Sequence, residues 1–323
     1  MPNKILVTGG LGLIGHNLSR QLESSGHEVV VVDTRTDYGI IPKDELDYLM
    51  NLRRQHIRTE FMHRIDIADQ SGIEWIMRHY RPEIVVHLAS FPRQKVVNIH
   101  PQIGSRAMSE GLLNLLENSA KHDVRKFVYV SSSMVYGDFT DNTKEDAVCQ
   151  PKGQYGIMKL AGEWLVQDYE QRTDLSTVIV RPSAVYGPRD VEDRVVSKFL
   201  IAAMRGETIK VKGANEKLDF TYVDDVVNGI AATLADHAHG IYNITRGHAR
   251  SLLEAAELAI KIAGRGVLDI QDRDLNFPSR GQLNIEKARK DLGFDPKIDI
   301  EQGFQIYYEW LVDSLYWSKK TVS

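Results

Sequence analysis

The first half of the sequence predicts an α/β fold in which helices cover both faces of a parallel, doubly wound sheet. Short apolar runs, rich in valine and isoleucine, alternate there with longer segments whose apolar residues recur at helical spacing. The runs are continuously apolar rather than alternating, as is typical of strands that are buried on both faces. After Arg181 such runs become sparse, which predicts a smaller C-terminal α/β lobe that caps the first domain.

Six strands and four helices are predicted before Arg181. In chain order, strands are expected at 5–7, 29–32, 61–65, 84–86, 127–130 and 178–180, of which 61–65 has the weakest pattern. Helices are expected at about 12–25, 69–79, 102–121 and 154–171. Alternation of this kind indicates a parallel sheet, because parallel strands need a helix-length crossover between them.

Residues 34–56 form a longer segment than an ordinary connection between strands, and 44–50 has a helical pattern. This segment is either a lid or a packing element. Beyond Arg181, helices are expected near 193–205, 252–263 and 300–316, and 241–244 has the pattern of one more sheet strand. We therefore predict two domains, residues 1–181, to which a strand near 240–245 returns, and mainly residues 182–318.

The composition excludes several classes of function. The 323 residues include 40 Lys and Arg against 44 Asp and Glu, and the net charge of −4 lacks the basic excess of a nucleic-acid binder. The single cysteine, Cys149, excludes an internal disulfide framework, and the histidines show no metal-ligand spacing. No apolar run approaches the roughly 18 residues of a membrane span. We expect a cytoplasmic protein with no metal site and no membrane partner, whose basic patches at 53–54 and 121–126 are solvated helix ends.

A glycine-rich turn between the first strand and the first helix predicts a dinucleotide site of the Rossmann type. The turn reads TGGLGLIG from residue 8 and places Gly9, Gly12 and Gly15 in the pattern G-x-x-G-x-x-G. A side chain at these positions would hold the backbone away from a pyrophosphate, or the helix away from the strand. The helix N-terminus at Leu13 and Ile14 then presents free N–H groups to the phosphates.

Acidic residues after the second and third strands predict the rest of the adenosine site. Asp33 lies 18 residues after Gly15, where a carboxylate accepts hydrogen bonds from the ribose and repels a 2′-phosphate. This favours NAD over NADP, whereas Arg35 could hold a 2′-phosphate and is the opposing signal. Asp33 could also only cap its strand. Asp66 and Ile67 are candidate adenine contacts, although Asp66 is equally suited to a turn.

A second motif predicts acid–base chemistry on a hydroxyl group. Tyr155 and Lys159 stand four residues apart, on one face of the predicted helix at 154–171. A phenol with a pKa near 10 is a poor base at neutral pH, and a neighbouring ammonium lowers that pKa. The serines at 131–133 follow a strand, so a hydroxyl there can bind the same substrate oxygen. Alone, the tyrosine–lysine pair would be an ordinary solvated helix face.

With these motifs, the chain resembles the extended short-chain dehydrogenase/reductase family, in its NAD-dependent sugar-nucleotide epimerase/dehydratase branch. The resemblance covers nearly the whole length and rests on six segments, some of them already described. These are the glycine turn, His87-Leu88-Ala89, SSS-x-VYG at 131–137, Tyr155-x-x-x-Lys159, RP-x-x-VYGP at 181–188 and DFTYVDD at 219–225.

The resemblance implies tightly held NAD and oxidation and re-reduction of a sugar carbon, usually C4, through a keto intermediate. It assigns Ser132, Tyr155 and Lys159 to catalysis. For the cofactor it implies contacts from Gly9, Gly12, Leu13, Ile14, Gly15, Asp33, Asp66, Ile67, Leu88, Ala89, Tyr155, Lys159 and Pro182. For the nucleotide sugar it implies contacts from Ser132, Ser133 and Arg280, the last at a pyrophosphate-binding position. It also implies that the C-terminal lobe binds the nucleotide sugar, and that a homodimer pairs the helices near 102–121 and 154–171.

The substrate half departs from the family pattern. The 4,6-dehydratases carry an Asp-Glu pair after the catalytic hydroxyl, where this chain has Ser133 and Met134, so we predict that it is not a dehydratase. An asparagine that often contacts the nucleotide sugar is Ala184 here, and an arginine that often contacts the diphosphate is Leu218. A frequent asparagine in the helix after Pro101 is Met108 here. Arg194 and Lys198 are candidates to replace the lost positive charge, or they are ordinary solvated side chains.

The leading functional hypothesis is an NAD-dependent nucleotide-sugar epimerase of polysaccharide biosynthesis. The alternative is an NAD-dependent dehydrogenase that releases a keto sugar. A non-catalytic NAD-binding regulator is a third hypothesis, since fold does not imply activity. The intact Ser132, Tyr155 and Lys159 argue against it, because a sensor needs no phenolate base.

Overall fold

The computed structural model describes residues 2–91 and 94–319, and strands alternate with helices along the first half of the chain. The strands of this half are β1 (Lys4–Thr8), β2 (Glu28–Val32), β3 (Met62–His63), β4 (Ile84–His87), β5 (Lys126–Val130) and β6 (Ser176–Pro182). The helices are α1 (Leu13–Ser24), α2 (Lys43–His56), α3 (Gln70–Tyr80), α4 (Gln94–Ile99), α5 (Pro101–Ser105), α6 (Gly111–Lys121) and α7 (Gly153–Arg172). A π-helical turn, Arg106–Glu110, joins α5 to α6, and a 3-10 turn, Ser133–Tyr136, follows β5.

The second half consists of short strands between helices. The strands are β7 (Val185–Tyr186), β8 (Thr208–Lys212), β9 (Lys217–Leu218), β10 (Thr221–Tyr222), β11 (Gly240–Ile244), β12 (Arg250–Ser251) and β13 (Val267–Gln271). The helices are α8 (Val195–Arg205), α9 (Val223–Ala232), α10 (Leu252–Ala263), α11 (Glu286–Leu292), α12 (Ile300–Asp313) and α13 (Leu315–Lys319). The sequence did not predict α9, α11 or the short strands other than β11.

The central sheet has seven parallel strands in the order β3-β2-β1-β4-β5-β6-β11, which confirms the predicted doubly wound fold. The strand order reverses between β1 and β4, and ligands of such sheets bind in the crevice at the carboxyl ends of strands flanking this point. Strand β11 comes from the second half of the chain and pairs with β6, from Gly240 opposite Val178 to Ile244 opposite Pro182.

Strand β3 is shorter than predicted, because only Met62 and His63 pair within the expected range 61–65. It is one of the two edge strands of the sheet, and it pairs with just the last two residues of β2. Asp66 then forms a turn in which its carboxylate accepts a hydrogen bond from Ala68 N at 2.9 Å. A strand with one neighbour and a turn directly after it has little room to extend.

The helix predicted at 102–121 is wrong as one continuous element, because α5, the π-helical turn and α6 divide it and α4 precedes it. Close packing accompanies the division. A Cβ on Gly104 would lie 3.4 Å from the Val97 side chain, and a Cβ on Gly111 would lie 2.6 Å from that of Ile67. The helix predicted at 300–316 likewise stops at Asp313, because Ser314 has extended backbone.

Residues 34–56, predicted to be either a lid or a packing element, contain helix α2, which packs against the rest of the fold. Arg53 is 4% exposed, and it donates hydrogen bonds to Leu11 O at 3.0 Å and to Arg189 O at 3.0 and 2.6 Å. Glu45 is fully buried and accepts a hydrogen bond from Glu192 N at 2.7 Å. The helix is therefore a packed brace between the glycine turn and the segment before α8, and the prediction that 53–54 is a solvated helix end is wrong for Arg53.

Lys126 corrects the second basic patch in the same way. Its side chain is 1% exposed, and its Nζ donates hydrogen bonds to Thr233 O at 3.4 Å and Ala238 O at 3.2 Å, after α9. One hydrophobic cluster runs from the sheet into the C-terminal region and includes Ile5 and Phe304. Among the residues described, no helix is both long and apolar enough to cross a membrane.

Candidate active site

A cavity of about 950 Å³ lies at the carboxyl ends of the central strands, between the sheet and the C-terminal region. Residues after β1, β2, β4, β5 and β6 all reach it. All of the site residues predicted from the sequence line it, and their roles stay predictions. They are Gly9, Gly12, Leu13, Ile14, Gly15, Asp33, Asp66, Ile67, Leu88, Ala89, Ser132, Ser133, Tyr155, Lys159, Pro182, Arg194, Lys198 and Arg280.

The glycine turn brings backbone to within contact distance where side chains would not fit. Gly9 has a φ of +70°, and a Cβ there would lie 2.6 Å from Ala89 N. A Cβ on Gly15 would lie 2.2 Å from Gly9 O, so this glycine lets α1 start directly against the turn. Helix α1 begins after Gly12 with no side-chain cap and no acidic residue in its first turn. Its N-terminal N–H groups are therefore available to an anion in the cavity.

The Asp33 carboxylate is fixed by backbone hydrogen bonds at the end of β2. Leu11 N donates to Oδ2 at 2.9 Å, and Arg35 N donates to Oδ1 at 2.7 Å. Asp33 lines the cavity, whereas Arg35 is exposed and does not belong to the lining. The cavity wall therefore carries the Asp33 carboxylate at this point and does not include Arg35.

Tyr155, Lys159 and Ser132 meet in the same cavity. Burial raises the pKa of the Tyr155 phenol, while the Arg194 charge and a hydrogen bond with Ser132 act against this rise in pKa. Lys159 is 4% exposed, and its Nζ donates to Val130 O at 2.8 Å. Burial lowers the pKa of Lys159 to about 7, against the opposing charge of Glu163. A phenolate at Tyr155 thus depends on positive charge gathered at this point.

Several positively charged side chains line the part of the cavity near α8 and Arg280, which is the part predicted to hold the sugar. Arg280 is half-buried, its Nε makes no hydrogen bond with the described residues, and burial lowers its pKa to about 10. Asp193 accepts hydrogen bonds from Lys198 at 2.5 Å and from Lys95 at 3.4 Å. A guanidinium N–H without an acceptor is costly where it is buried, so the Nε of Arg280 suits an anionic ligand group, although the Glu216 charge also acts on this side chain. Lys95 also lines the cavity, and the sequence did not predict this because no motif surrounds the residue.

The family departures also lie in the cavity wall. Ala184 has a φ of +39°, in the left-handed region that asparagine tolerates better than alanine. Leu218 is 7% exposed and contributes an apolar surface. The turn after Ser132 carries Ser133 and Met134, neither of which has a carboxylate, and both are buried, at 1% and 8% exposed. The sugar half is more apolar at these points than the family pattern implies.

Comparisons with known proteins agree over most of the chain. Residues 5–245 match the family described as the NAD dependent epimerase/dehydratase family. A Bacillus subtilis (strain 168) protein described as an uncharacterized UDP-glucose epimerase is 30% identical over 311 residues, covering 93% of this chain and 95% of the relative.

Two solved structures have the same fold over nearly the whole chain. The UDP-glucose 4-epimerase of Thermus thermophilus, in complex with NAD, is 26% identical with a TM-score of 0.86, covering 97% of this chain and 100% of that one. The UDP-glucuronic acid 4-epimerase of Bacillus cereus, in complex with UDP-glucuronic acid and NAD, is 26% identical with a TM-score of 0.87, covering 95% and 98%.

Proposed function

The chain belongs to the NAD-dependent epimerase/dehydratase family, and from this premise we propose that it is an epimerase that inverts one carbon, C4, of a nucleotide sugar. The family predicted from the sequence is confirmed, and so is NAD as the cofactor. The observation that carries the proposal is that Asp33, the glycine turn, Tyr155, Lys159 and Ser132 line one cavity.

The residues of the cofactor half fit NAD. Gly12 and the N-terminus of α1 would hold the pyrophosphate, and Asp33 would accept hydrogen bonds from the adenosine ribose. Ile67, Leu88 and Ala89 would cover the adenine and the middle of the cofactor, and Pro182 would border the nicotinamide. Bound NAD supplies the acceptor and donor of a hydride.

Three side chains would move or hold the proton of the sugar hydroxyl. Tyr155 takes the proton as the hydroxyl is oxidised and returns it when the ketone is reduced. Ser132 binds the same oxygen. Lys159 stabilises the phenolate of Tyr155 by its positive charge. Inversion then requires that the keto sugar turn over in the pocket while its diphosphate stays bound.

Arg280, Arg194 and Lys198 would bind the anionic part of the substrate. The orphaned Nε of Arg280 supports a diphosphate contact there. Arg194 lies near enough to Tyr155 to affect the pKa of its phenol, which supports a position beside the sugar. Ser133 would contact the sugar from the turn after β5. UDP-sugars are the first substrates to test, because the two similar structures are UDP-sugar epimerases.

Dehydration is disfavoured by the same turn. A 4,6-dehydratase needs a side chain that takes a proton at C5 and one that protonates the leaving group at C6. Met134 cannot carry a proton, and Ser133 is a weak acid. We therefore propose that no 4-keto-6-deoxy sugar is formed.

Oligomeric state, domain division and location are parts of the same proposal. Large apolar side chains are exposed on α5 and α7, with Ile103 at 57%, Ile157 at 53% and Trp164 at 62%. Burying them supports a homodimer through paired helices. The proposed domains are residues 1–181, to which β11 returns, and mainly residues 182–318.

The single cysteine, Cys149, supports a cytoplasmic location.

Two steps test the proposed function. First, the purified protein is denatured and the released cofactor is identified; stoichiometric NAD is expected. Second, the native protein is incubated with UDP-, GDP-, dTDP- and CDP-sugars, and C4 configuration is followed by NMR. Interconversion of two C4 epimers supports the proposal. Net accumulation of a keto sugar would replace it with the dehydrogenase, and loss of water from the sugar would replace it with a dehydratase.

A further inference from the structure

A buried ion pair lies behind the candidate active site, and the reaction proposed above does not use it. Arg181 donates to the Glu163 carboxylate twice, from Nη2 to Oε2 at 2.6 Å and from Nε to Oε1 at 2.9 Å. The two side chains are 3% and 2% exposed. Such a pair carries a large desolvation cost and is weak support for stability by itself. Its position therefore suggests another role.

Together with Ser131, the ion pair joins three elements whose residues reach the cavity. Glu163 is on α7, Arg181 is on β6, and Ser131 at the end of β5 donates from Oγ to Glu163 Oε1 at 2.5 Å. Arg181 also donates to Glu145 O at 3.0 Å, and its guanidinium lies 4.7 Å from the centre of the Tyr136 ring. One carboxylate thus fixes α7 against the strand ends that bear Ser132 and Pro182.

Glu163 also stands one helical turn after Lys159, on the same face of α7. Apart from Tyr155, the titratable groups facing Lys159 from neighbouring strands are Tyr129 and His87. Burial raises the pKa of Tyr129 well above its usual value and lowers the pKa of His87 to about 3, so both are neutral near pH 7. Among these groups, Glu163 supplies the negative charge that favours an ammonium on Lys159, and Arg181 keeps that charge in place.

We propose that Glu163 is a positioning residue whose carboxylate, held by Arg181 and Ser131, keeps Lys159 charged and aligned beside Tyr155. This inference rests on the proposed function, because it concerns the same phenolate. The active form has Tyr155 without its proton and Lys159 with its proton. We expect the positive nicotinamide ring of bound NAD to lower the pKa of the phenol below that of Lys159, so that the alkaline limb of the NAD-containing enzyme reports Lys159. When the Glu163 charge is removed, Lys159 loses its proton at a lower pH, and the active form disappears from the alkaline side.

The experiment compares pH profiles of kcat/KM for the NAD-containing enzyme and three variants. In Glu163→Gln, the alkaline limb should move to lower pH by about one unit. Glu163→Asp keeps the charge and should keep the limb near its original position. Ser131→Ala removes one hydrogen bond without a change in charge, so it should lower the Tm but leave the limb where it is. A Glu163→Gln profile that is lower at every pH with an unchanged shape would make Glu163 purely structural and overturn the proposal.

A double variant guards against failure to fold. Glu163→Gln leaves the Arg181 charge buried and unpaired, whereas Glu163→Gln with Arg181→Met removes both charges and their desolvation cost. The double variant should fold, and its alkaline limb should move in the same direction but by less than in Glu163→Gln, because the Arg181 charge, which also disfavours an ammonium on Lys159, is gone. An alkaline limb at the wild-type position in this folded variant would contradict the proposal.

A second measurement does not depend on turnover. In the NAD-free protein, the folded pKa of Lys159 of about 7 is below its unfolded value, so the unfolded chain holds an extra proton above pH 7 and this group makes stability rise with pH there. In Glu163→Gln the rise should begin at a lower pH, as measured by denaturant unfolding from pH 5 to 10. If wild type turns over no nucleotide sugar, the proposed function fails, and this readout still decides the role of Glu163: parallel stability profiles would refute it.

Discussion

Tyr155 is the residue on which the proposed chemistry depends. Burial raises the pKa of its phenol, which disfavours the base form. The Arg194 charge and the Ser132 hydrogen bond act in the opposite direction. An ammonium on Lys159, which lines the same cavity, would act in that direction too. The cavity therefore collects donors and positive charge around one oxygen, as an acid–base residue that works near neutral pH requires.

The first prediction is that Tyr155→Phe lowers turnover by a factor of about 10² or more, because the phenol that takes the hydroxyl proton is lost. NAD binding should stay close to wild type, since the ring and its packing are kept. Tyr129→Phe is the matched control, because it removes the hydroxyl of another buried tyrosine near Lys159. Steady-state kinetics and calorimetric NAD titration check both variants; an active Tyr155→Phe enzyme with an unchanged pH profile would remove the mechanism.

The second prediction concerns the cofactor. Wild type should bind NAD much more tightly than NADP, because the fixed Asp33 carboxylate repels a 2′-phosphate. Asp33→Ser should narrow this difference by weakening NAD and admitting NADP. Arg35→Ala should leave the selectivity unchanged, since this exposed side chain lies outside the cavity. Fluorescence titration with both cofactors tests the pair, and equal wild-type affinities would count against the role of Asp33.

Single residues were predictable where the chemistry repeats at short spacing. Short spacing makes two motifs recognisable in the sequence alone: the glycines at 9, 12 and 15, and the pair Tyr155 and Lys159. Arg53 could not be recognised, because the carbonyls that it binds belong to residues 42 and 136 positions away. A buried arginine and a solvated arginine look alike in sequence until the fold supplies their partners.

At the level of elements, β4 ends in a histidine that the fold keeps neutral. His87 is 1% exposed, it forms a hydrogen bond with Thr8 Oγ1 at 2.8 Å, and its ring stacks on Tyr129 with 5.7 Å between ring centres. Burial, and then the nearby Lys159 charge, lower the pKa of His87 to about 3. The side chain links the ends of β1, β4 and β5 at a buried position that disfavours the charged form.

The third prediction follows from this pKa. Below about pH 6.5, His87 is protonated in the unfolded chain but stays neutral in the folded chain. As the pH is lowered, this group should therefore reduce the free energy of unfolding by about 1.4 kcal/mol per pH unit. His87→Asn should flatten the fall between about pH 6.5 and 4. His237→Asn, at an exposed histidine, should not. Urea unfolding at several pH values provides the test, and equal slopes for wild type and His87→Asn would refute the assignment.

The fourth prediction concerns helix α2 as a brace. Arg53→Ala leaves the buried carbonyls of Leu11 and Arg189 unpaired, so the free energy of unfolding should fall by about 2 kcal/mol or more. NAD affinity should fall as well, because Leu11 belongs to the glycine turn. Arg54→Ala removes the adjacent arginine, whose bond to Ile57 O stays within the helix end, and should cost about 0.5 kcal/mol or less. If the two variants lose equal stability and NAD affinity, α2 is not the brace described here.

Long buried elements were predictable and short ones were not. The five strongest apolar runs of the first half all become sheet strands, since burial on both faces leaves a continuous pattern. The two-residue strands β7, β9 and β10 and the π-helical turn have no such pattern. They form because distant segments meet, and a local window of sequence does not contain that information.

At the scale of the whole molecule, one cavity joins a cofactor half typical of the family to a sugar half that departs from it. One hydrophobic cluster extends from the sheet strands to α12, so the N-terminal and C-terminal parts of the chain share a core. Sequence motifs predicted the family and NAD, which the comparisons confirm. The motifs did not predict which sugar is bound, because Ala184 and Leu218 lack the polar contacts of the family pattern and nothing in the sequence shows which residues replace them.

The most direct test of the account follows the hydrogen at the inverted carbon. A nucleotide sugar that the enzyme accepts is prepared with deuterium at C4 and incubated with the enzyme in ordinary water. If the same hydride is removed and returned, the product with inverted C4 should keep its deuterium at that carbon. Loss of the label to solvent, or a keto product formed in amounts stoichiometric with the enzyme, would contradict epimerisation by oxidation and re-reduction within one site.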